Sequence, residues 1–376
     1  MDDEQHIGDA KTRLAESALT LVQSAARRGR AALAWLDRID PGTHRRIKGL
    51  RLVTAYGLAA ALGALQDVTQ SVPAGVSVGA LAGGFALWAS VSEARTTRFE
   101  SSRDLAVLCI AAAFGALTFA LFGPMLREFG RGGSELVLVT GAFFAGYLKR
   151  FGVTGAGIGS QLYIGQLLAY GMNLAPGDSR AILFALLIGM LAAIVPRVLS
   201  GPAEHPAVLP ALASEPAYGR HAISPAFAMG LQATCGALVV VLLNRAIGLV
   251  ESAWAITACV YVVATSAVGT AERVRRRIYG TLVGVPLGLV CLPLAEHWPV
   301  VVWTLSALAM IAYAMALPER YDIACGAFAF VLVVTLAASG VHSVGLLTAR
   351  AWETLLGGAL GLVASRIVFP LRVVRE

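Results

Sequence analysis

Runs of about 20 apolar residues, each long enough to cross the hydrocarbon core of a bilayer, recur between Arg51 and Pro370 with only short polar breaks. Six lie near 52–67, 73–92, 105–123, 134–148, 152–172 and 181–199. Six more lie near 226–247, 251–269, 278–295, 298–317, 322–340 and 349–369. Lipid leaves a backbone group no partner outside a helix or a closed barrel. Barrel strands alternate apolar and polar side chains, and these runs do not. The pattern predicts an all-α polytopic membrane protein of about twelve transmembrane helices. Composition agrees, with 57% apolar and 14% charged residues, where soluble domains hold roughly 45–50% and about 25%.

The charges between the runs set an orientation. Of 30 Lys and Arg, 25 fall on one side when the spans are counted alternately. They include a cluster before the first span, Arg95 to Arg103, Lys149 and Arg150, Arg273 to Arg277, and Arg366 onward. Lys and Arg stay inside, so both termini are expected in the cytoplasm. The net charge of +7 is then a topology signal and an attraction to anionic lipid. No basic surface with stacking aromatics points to nucleic acid.

Four segments follow. Residues 1–49 are too polar to span, and apolar residues from Leu14 to Leu36 recur at helical spacing. They predict an amphipathic cytoplasmic tail on the inner leaflet, with a solvated helix or tail as the alternative. No cleavable leader is expected. Residues 50–200 form a first six-helix repeat. Residues 201–225 form a cytoplasmic linker marked by Pro202, Pro206, Pro210, Pro216 and Pro225. Residues 226–376 form a second repeat. The halves align through Arg180 to Arg197 against Arg350 to Arg366, and through the basic loops after the second and eighth spans. Both halves begin inside, so the repeats are parallel, related by an axis along the membrane normal. Gly79 and Gly83, Gly155 and Gly159, Gly280, Gly284 and Gly288, and Gly357 and Gly361 are spaced four apart, which lets helices approach closely in lipid.

Enzyme chemistry has no foothold. There is no phosphate loop with its lysine, and no nucleophile beside a base. The five cysteines lie within spans without paired spacing and read as small hydrophobes. The six histidines form no ligand cluster, so no metal or cofactor is expected.

Ionisable groups at membrane depth default to function. Glu353 lies about one turn into the last span. It is a proton-coupling candidate, the alternative being an intrahelical pair with Arg350. Arg103 and Arg277 open the third and ninth spans at the inner face. Arg180 and Arg350 open the sixth and twelfth at the outer face. Facing a central axis, these pairs would form two cationic rings that attract anions; interfacial anchoring is the alternative. Trp88, Tyr147, Tyr163, Trp254, Tyr261, Tyr313 and Phe328 are aromatics that a flat substrate could meet, though packing or anchoring also accounts for them.

The second half resembles the fusaric acid resistance family, the aromatic acid exporters. The resemblance rests on Trp254-Ala255-Ile256-Thr257, the loop Glu272-Arg273-Val274-Arg275-Arg276-Arg277, the helix Tyr279-Gly280-Thr281-Leu282-Val283-Gly284, and Arg350 to Gly357. It covers roughly 226–370, and the first half matches mainly in its span pattern. Many of these exporters carry a large cytoplasmic domain between or after their membrane units, and here the two halves are joined by a short linker. The resemblance implies proton-driven export of aromatic carboxylates or related organic anions from a bacterial inner membrane. It adds Trp254 and Thr257 to the path arginines. Plant aluminium-activated malate channels resemble the same unit, so a passive anion channel is the first alternative. A major-facilitator-like drug transporter is the second, although its Asp-Arg-x-Gly-Arg loop is missing. No oligomeric state follows.

Overall fold

A computed structural model describes residues 43–65, 77–95, 97–200, 224–338 and 344–371, with isolated positions before 43. Residues 1–46 form one compact unit and residues 47–376 another. The tail read as amphipathic and the proline-rich linker lie almost wholly outside the described residues. Within the first unit, the Asp40 carboxylate accepts the backbone amides of Arg45 and Arg46 at 3.2 and 3.0 Å.

No strand occurs among the described residues. The helices are α1 (His44–Ala64), α2 (Val78–Ser92), α3 (Arg98–Arg127), α4 (Leu136–Tyr147), α5 (Gly152–Gly171), α6 (Ser179–Leu199), α7 (Pro225–Ile247), α8 (Ser252–Val262), α9 (Ala267–Val290), α10 (Leu292–His297), α11 (Pro299–Ala316), α12 (Tyr321–Ala338) and α13 (Val344–Ile367). Most apolar runs fall on one helix, but the run near 251–269 takes in α8 and the start of α9, and the run near 278–295 takes in the end of α9 and most of the short α10. The stretches Arg98–Arg127, Leu136–Gly171, Pro176–Leu199 and Pro225–Ile247 are long and apolar enough to cross a membrane, and four further apolar helices are shorter. The chain is a multi-pass membrane protein.

Local chemistry sets the helix starts. Ser77, Thr97, Ser224 and Ser266 each accept a backbone amide of the first turn, satisfying donors that a helix leaves bare. Pro225 follows at the first helical position, where its missing N–H costs nothing. Between α4 and α5 a 3-10 turn, Leu148–Phe151, ends at Gly152 with φ +73°. That left-handed backbone suits glycine, and α5 then runs back along α4.

Packing relies on small residues. α3 lies against α5 and α6, α2 against α6, and α4 against α5; α9 lies against α12 and α13, α8 against α13, and α11 against α12. A Cβ on Gly165 of α5 would overlap the Ala112 carbonyl oxygen of α3, and one on Gly284 of α9 would overlap that of Gly326 of α12. Gly189 of α6 sits against Ala82 of α2, and Gly357 of α13 against Ala255 of α8. Backbones this close gain dispersion contacts along their length, the main source of helix cohesion in lipid. α4 meets α7 with Gly146 on Gly230. There a buried core of Leu138, Ile164, Met229, Val240 and Ile256 joins α4 and α5 to α7 and α8.

Candidate functional site

One arginine has no acid at ion-pair distance among the described residues and acts on tyrosines of α5, α8, α11 and α12. Arg277 points from α9 toward α12, donating from Nη1 to the Tyr321 hydroxyl at 3.3 Å. Its Nε is buried without a hydrogen-bond partner. Its charge acts on Tyr163, Tyr261, Tyr313 and Tyr321, and it makes no ion pair among the described residues. Burying a charge is costly unless it is paired. The neighbouring basic residues differ: Arg275 and Arg276 both bind Glu272, at 2.7 Å. A guanidinium is a planar fork of donors that fits a carboxylate with two parallel hydrogen bonds. Arg277 holds such a fork with donor capacity to spare.

A wall of rings continues from it. Tyr313 packs on Phe328 with centroids 6.2 Å apart, and Phe328 on Trp88 at 5.5 Å and on Trp254 at 6.2 Å. Trp88 meets Tyr313 edge to face at 6.3 Å. Trp88 comes from α2, Trp254 from α8, Tyr313 from α11 and Phe328 from α12, and all four are half-buried. Opposite, Tyr163 and Tyr261 pack edge to face at 6.0 Å. The Tyr163 hydroxyl meets Thr257 Oγ1 at 2.8 Å while Thr257 donates to the Ala253 carbonyl, so the tyrosine is the donor. Ser160 and Tyr261 share a further 2.8 Å bond. Rings paired in this way offer faces and edges to another ring, each contact contributing about 0.5–1.5 kcal/mol beyond its area. One basic fork beside an aromatic wall is what a flat carboxylate needs.

Residues 234–364 match the model of the fusaric acid resistance protein-like family. The matched residues make up less than half of the chain. No curated protein and no solved structure is matched. The matched segment runs from within α7 to within α13 and carries Arg277, Trp254, Tyr261, Tyr313, Tyr321 and Phe328. Trp88 and Tyr163 lie outside it.

The remaining residues that the sequence points to sit apart from Arg277 or have their polar groups engaged. Arg103 is 60% exposed and 3.8 Å from Asp104, whose other oxygen takes Arg95 at 2.9 Å. Thr257 faces the cluster but spends its hydroxyl on Ala253 and Tyr163. Arg180 is exposed in the first turn of α6. The Arg350 side chain lies outside the described ones. Glu353 is fully buried, and its two oxygens accept the backbone amides of Val250 and Glu251, both at 2.8 Å. It therefore pins the loop leading into α8. Tyr147 stacks on Phe143 and lies under Arg150, away from the Arg277 rings.

Two contributors are not marked out by the sequence. Tyr321 follows Glu319 and Arg320 in a short break between apolar runs, and nothing in that pattern sets it apart. Lys149 marks a loop, yet it is half-buried, and burial with the nearby charge of Arg273 lowers its pKa to about 8.

Proposed function

We propose that this protein exports organic anions, aromatic carboxylates foremost, along a path between two parallel six-helix repeats, driven by a proton gradient. The observation that carries the reading is Arg277, a guanidinium without an acidic partner among the described residues, set against the Trp88–Trp254–Tyr313–Phe328 wall. The family match supports export. The repeat reading is supported by like helix pairs: α3–α5 and α9–α12 are both glycine-packed, as are α2–α6 and α8–α13. In this reading the chain lies in a bacterial inner membrane with both termini cytoplasmic. Lys149, Arg273 and Arg277 then form the inner mouth, and Arg103 adds to its positive field. Arg180 and Arg350 stand at the outer mouth.

Benzoate flux in proteoliposomes tests this directly. Benzoate is expected to accumulate against its gradient only when a pH gradient is imposed, and a cationic drug is expected not to move. Downhill benzoate conductance indifferent to the pH gradient would make the protein a channel. Transport of the cation alone would overturn the substrate class.

The mouth also has a pH signature. Lys149 is cationic below about pH 8 and neutral above it, while benzoate stays ionised throughout. Benzoate affinity should therefore fall as pH rises through this value, by roughly threefold for one screened charge near the path. Lys149→Arg should flatten the profile, because its guanidinium stays charged. Isothermal titration across the interval measures both, and an unchanged slope in the variant would remove Lys149 from the mouth.

A further inference from the structure

The other end of α4 holds a carboxylate for which the anion path gives no role. Glu135 precedes the first residue of α4 and is 2% exposed. Its Oε1 accepts from Asn244 Nδ2 at 2.7 Å, from the Tyr170 hydroxyl at 3.1 Å and from the Ser252 hydroxyl. Asn244 also donates to Ser252 Oγ at 3.2 Å. The Glu135 Oε2 is buried with no hydrogen-bond partner. No Lys, Arg or His side chain among the described residues reaches ion-pair distance. The titratable groups facing it are Tyr170 from α5, Glu251 from the loop before α8 and Glu353 from α13; Glu135 and Glu251 both act on Glu353 electrostatically. Arg131, from the preceding loop, lies against Gly248 instead.

Glu353 and Glu135 differ in what a proton would do to them. Both Glu353 oxygens already accept a backbone amide, so neither is left bare. Protonating Glu135 on Oε2 breaks no bond and removes a buried charge that has no counter-ion and lies close to another carboxylate. The residues clamping Oε1 come from both halves: Tyr170 belongs to the first, and Asn244 and Ser252 to the second. Hydrogen bonds to an ionised oxygen are about twice as strong as neutral ones. Ionised Glu135 thus ties α4 and α5 to α7 and α8, and protonated Glu135 loosens that tie.

We propose that Glu135 is the carboxyl that couples protons to transport, binding one at Oε2 to become the acid and releasing it to restore the clamped carboxylate. This deepens the transport reading above and rests on it. Infrared difference spectra of the full-length protein in lipid, taken between acidic and neutral buffer, should show the C=O band of a buried protonated carboxyl. Glu135→Gln, nearly isosteric and able to keep the three donors, should abolish that band, and Glu353→Gln should retain it. Glu135→Asp should keep a displaced band, showing that the pocket is intact. In benzoate proteoliposomes, Glu135→Gln should lose accumulation driven by the pH gradient. A band that survives Glu135→Gln, or one lost only with Glu353, would overturn the assignment, as would full gradient-driven accumulation by Glu135→Gln. The infrared result needs no substrate. A wild-type protein that moves no benzoate would sink the transport reading while the band still decides whether Glu135 binds the proton.

Discussion

Replacing Arg277 by methionine should cost about a hundredfold in benzoate affinity and at the same time raise the melting temperature. The loss follows from removing charge-assisted hydrogen bonds to a carboxylate, which contribute about 1.5–3 kcal/mol in a partly desolvated site. The gain follows from the same isolation that makes Arg277 a binding group. It is a half-buried cation with a bare Nε and one long bond to Tyr321. An apolar side chain of similar length relieves that desolvation, by roughly 1 kcal/mol or more. Arg277→Lys keeps the charge and gives up the planar fork, so it should fall between the two, about tenfold weaker than wild type. Isothermal titration with benzoate and a thermal melt in detergent read both effects. A methionine variant that binds normally would remove Arg277 from the site. A variant that binds poorly and melts lower would make the arginine a structural post.

Arg277 is legible in the sequence because the repeat alignment singles out its position and its loop carries the family pattern. The alignment pairs it with Arg103, and here local chemistry breaks the symmetry. Arg103 is followed by Asp104, and Arg277 by Ile278. An acid one residue on draws Arg103 and Arg95 into a surface network, while the second half leaves its arginine for the interior. The neighbouring residue holds that signal. Six of the seven aromatics that the sequence offers fall together around Arg277, but nothing in their spacing says so, because they come from five helices. Their convergence is a product of tertiary packing.

Glu135 is not legible, for the opposite reason. It stands at the edge of the run near 134–148, straight after Arg131-Gly132-Gly133-Ser134, and an acid at the end of a run is ordinarily solvated. Only the seating of α4 on α7, glycine against glycine at Gly146 and Gly230, carries that edge under Asn244 and Ser252. Glu353 shows the reverse case. Its depth in an apolar run marks it in the sequence, yet its partners are backbone amides of a distant loop. Depth along a helix reports exposure to lipid or protein; it does not report whether a carboxylate already has its donors.

Glycine spacing is the most directly readable element of the packing, and it supports a test in which one substitution has opposite outcomes within a single helix. Gly165 and Gly171 both lie in α5. A Cβ at Gly165 would overlap the backbone oxygen of Ala112 on α3, and one at Gly171 would meet nothing within 4 Å. Backbone cannot turn aside as a flexible side chain can, so Gly165→Ala must push α3 and α5 apart. Overpacking of this kind costs typically about 1–3 kcal/mol. Gly171→Ala relieves the entropy that glycine costs a helix and should be neutral or stabilising by up to roughly 1 kcal/mol. The functional consequence should follow the packing. Tyr163 sits two residues from Gly165 and reaches Thr257 across the halves, so separating α3 from α5 displaces one side of the aromatic cluster. Gly165→Ala should therefore lower both the melting temperature and benzoate affinity, and Gly171→Ala neither. Equal melting temperatures for the two variants would mean that the α3–α5 crossing is looser than its glycines require.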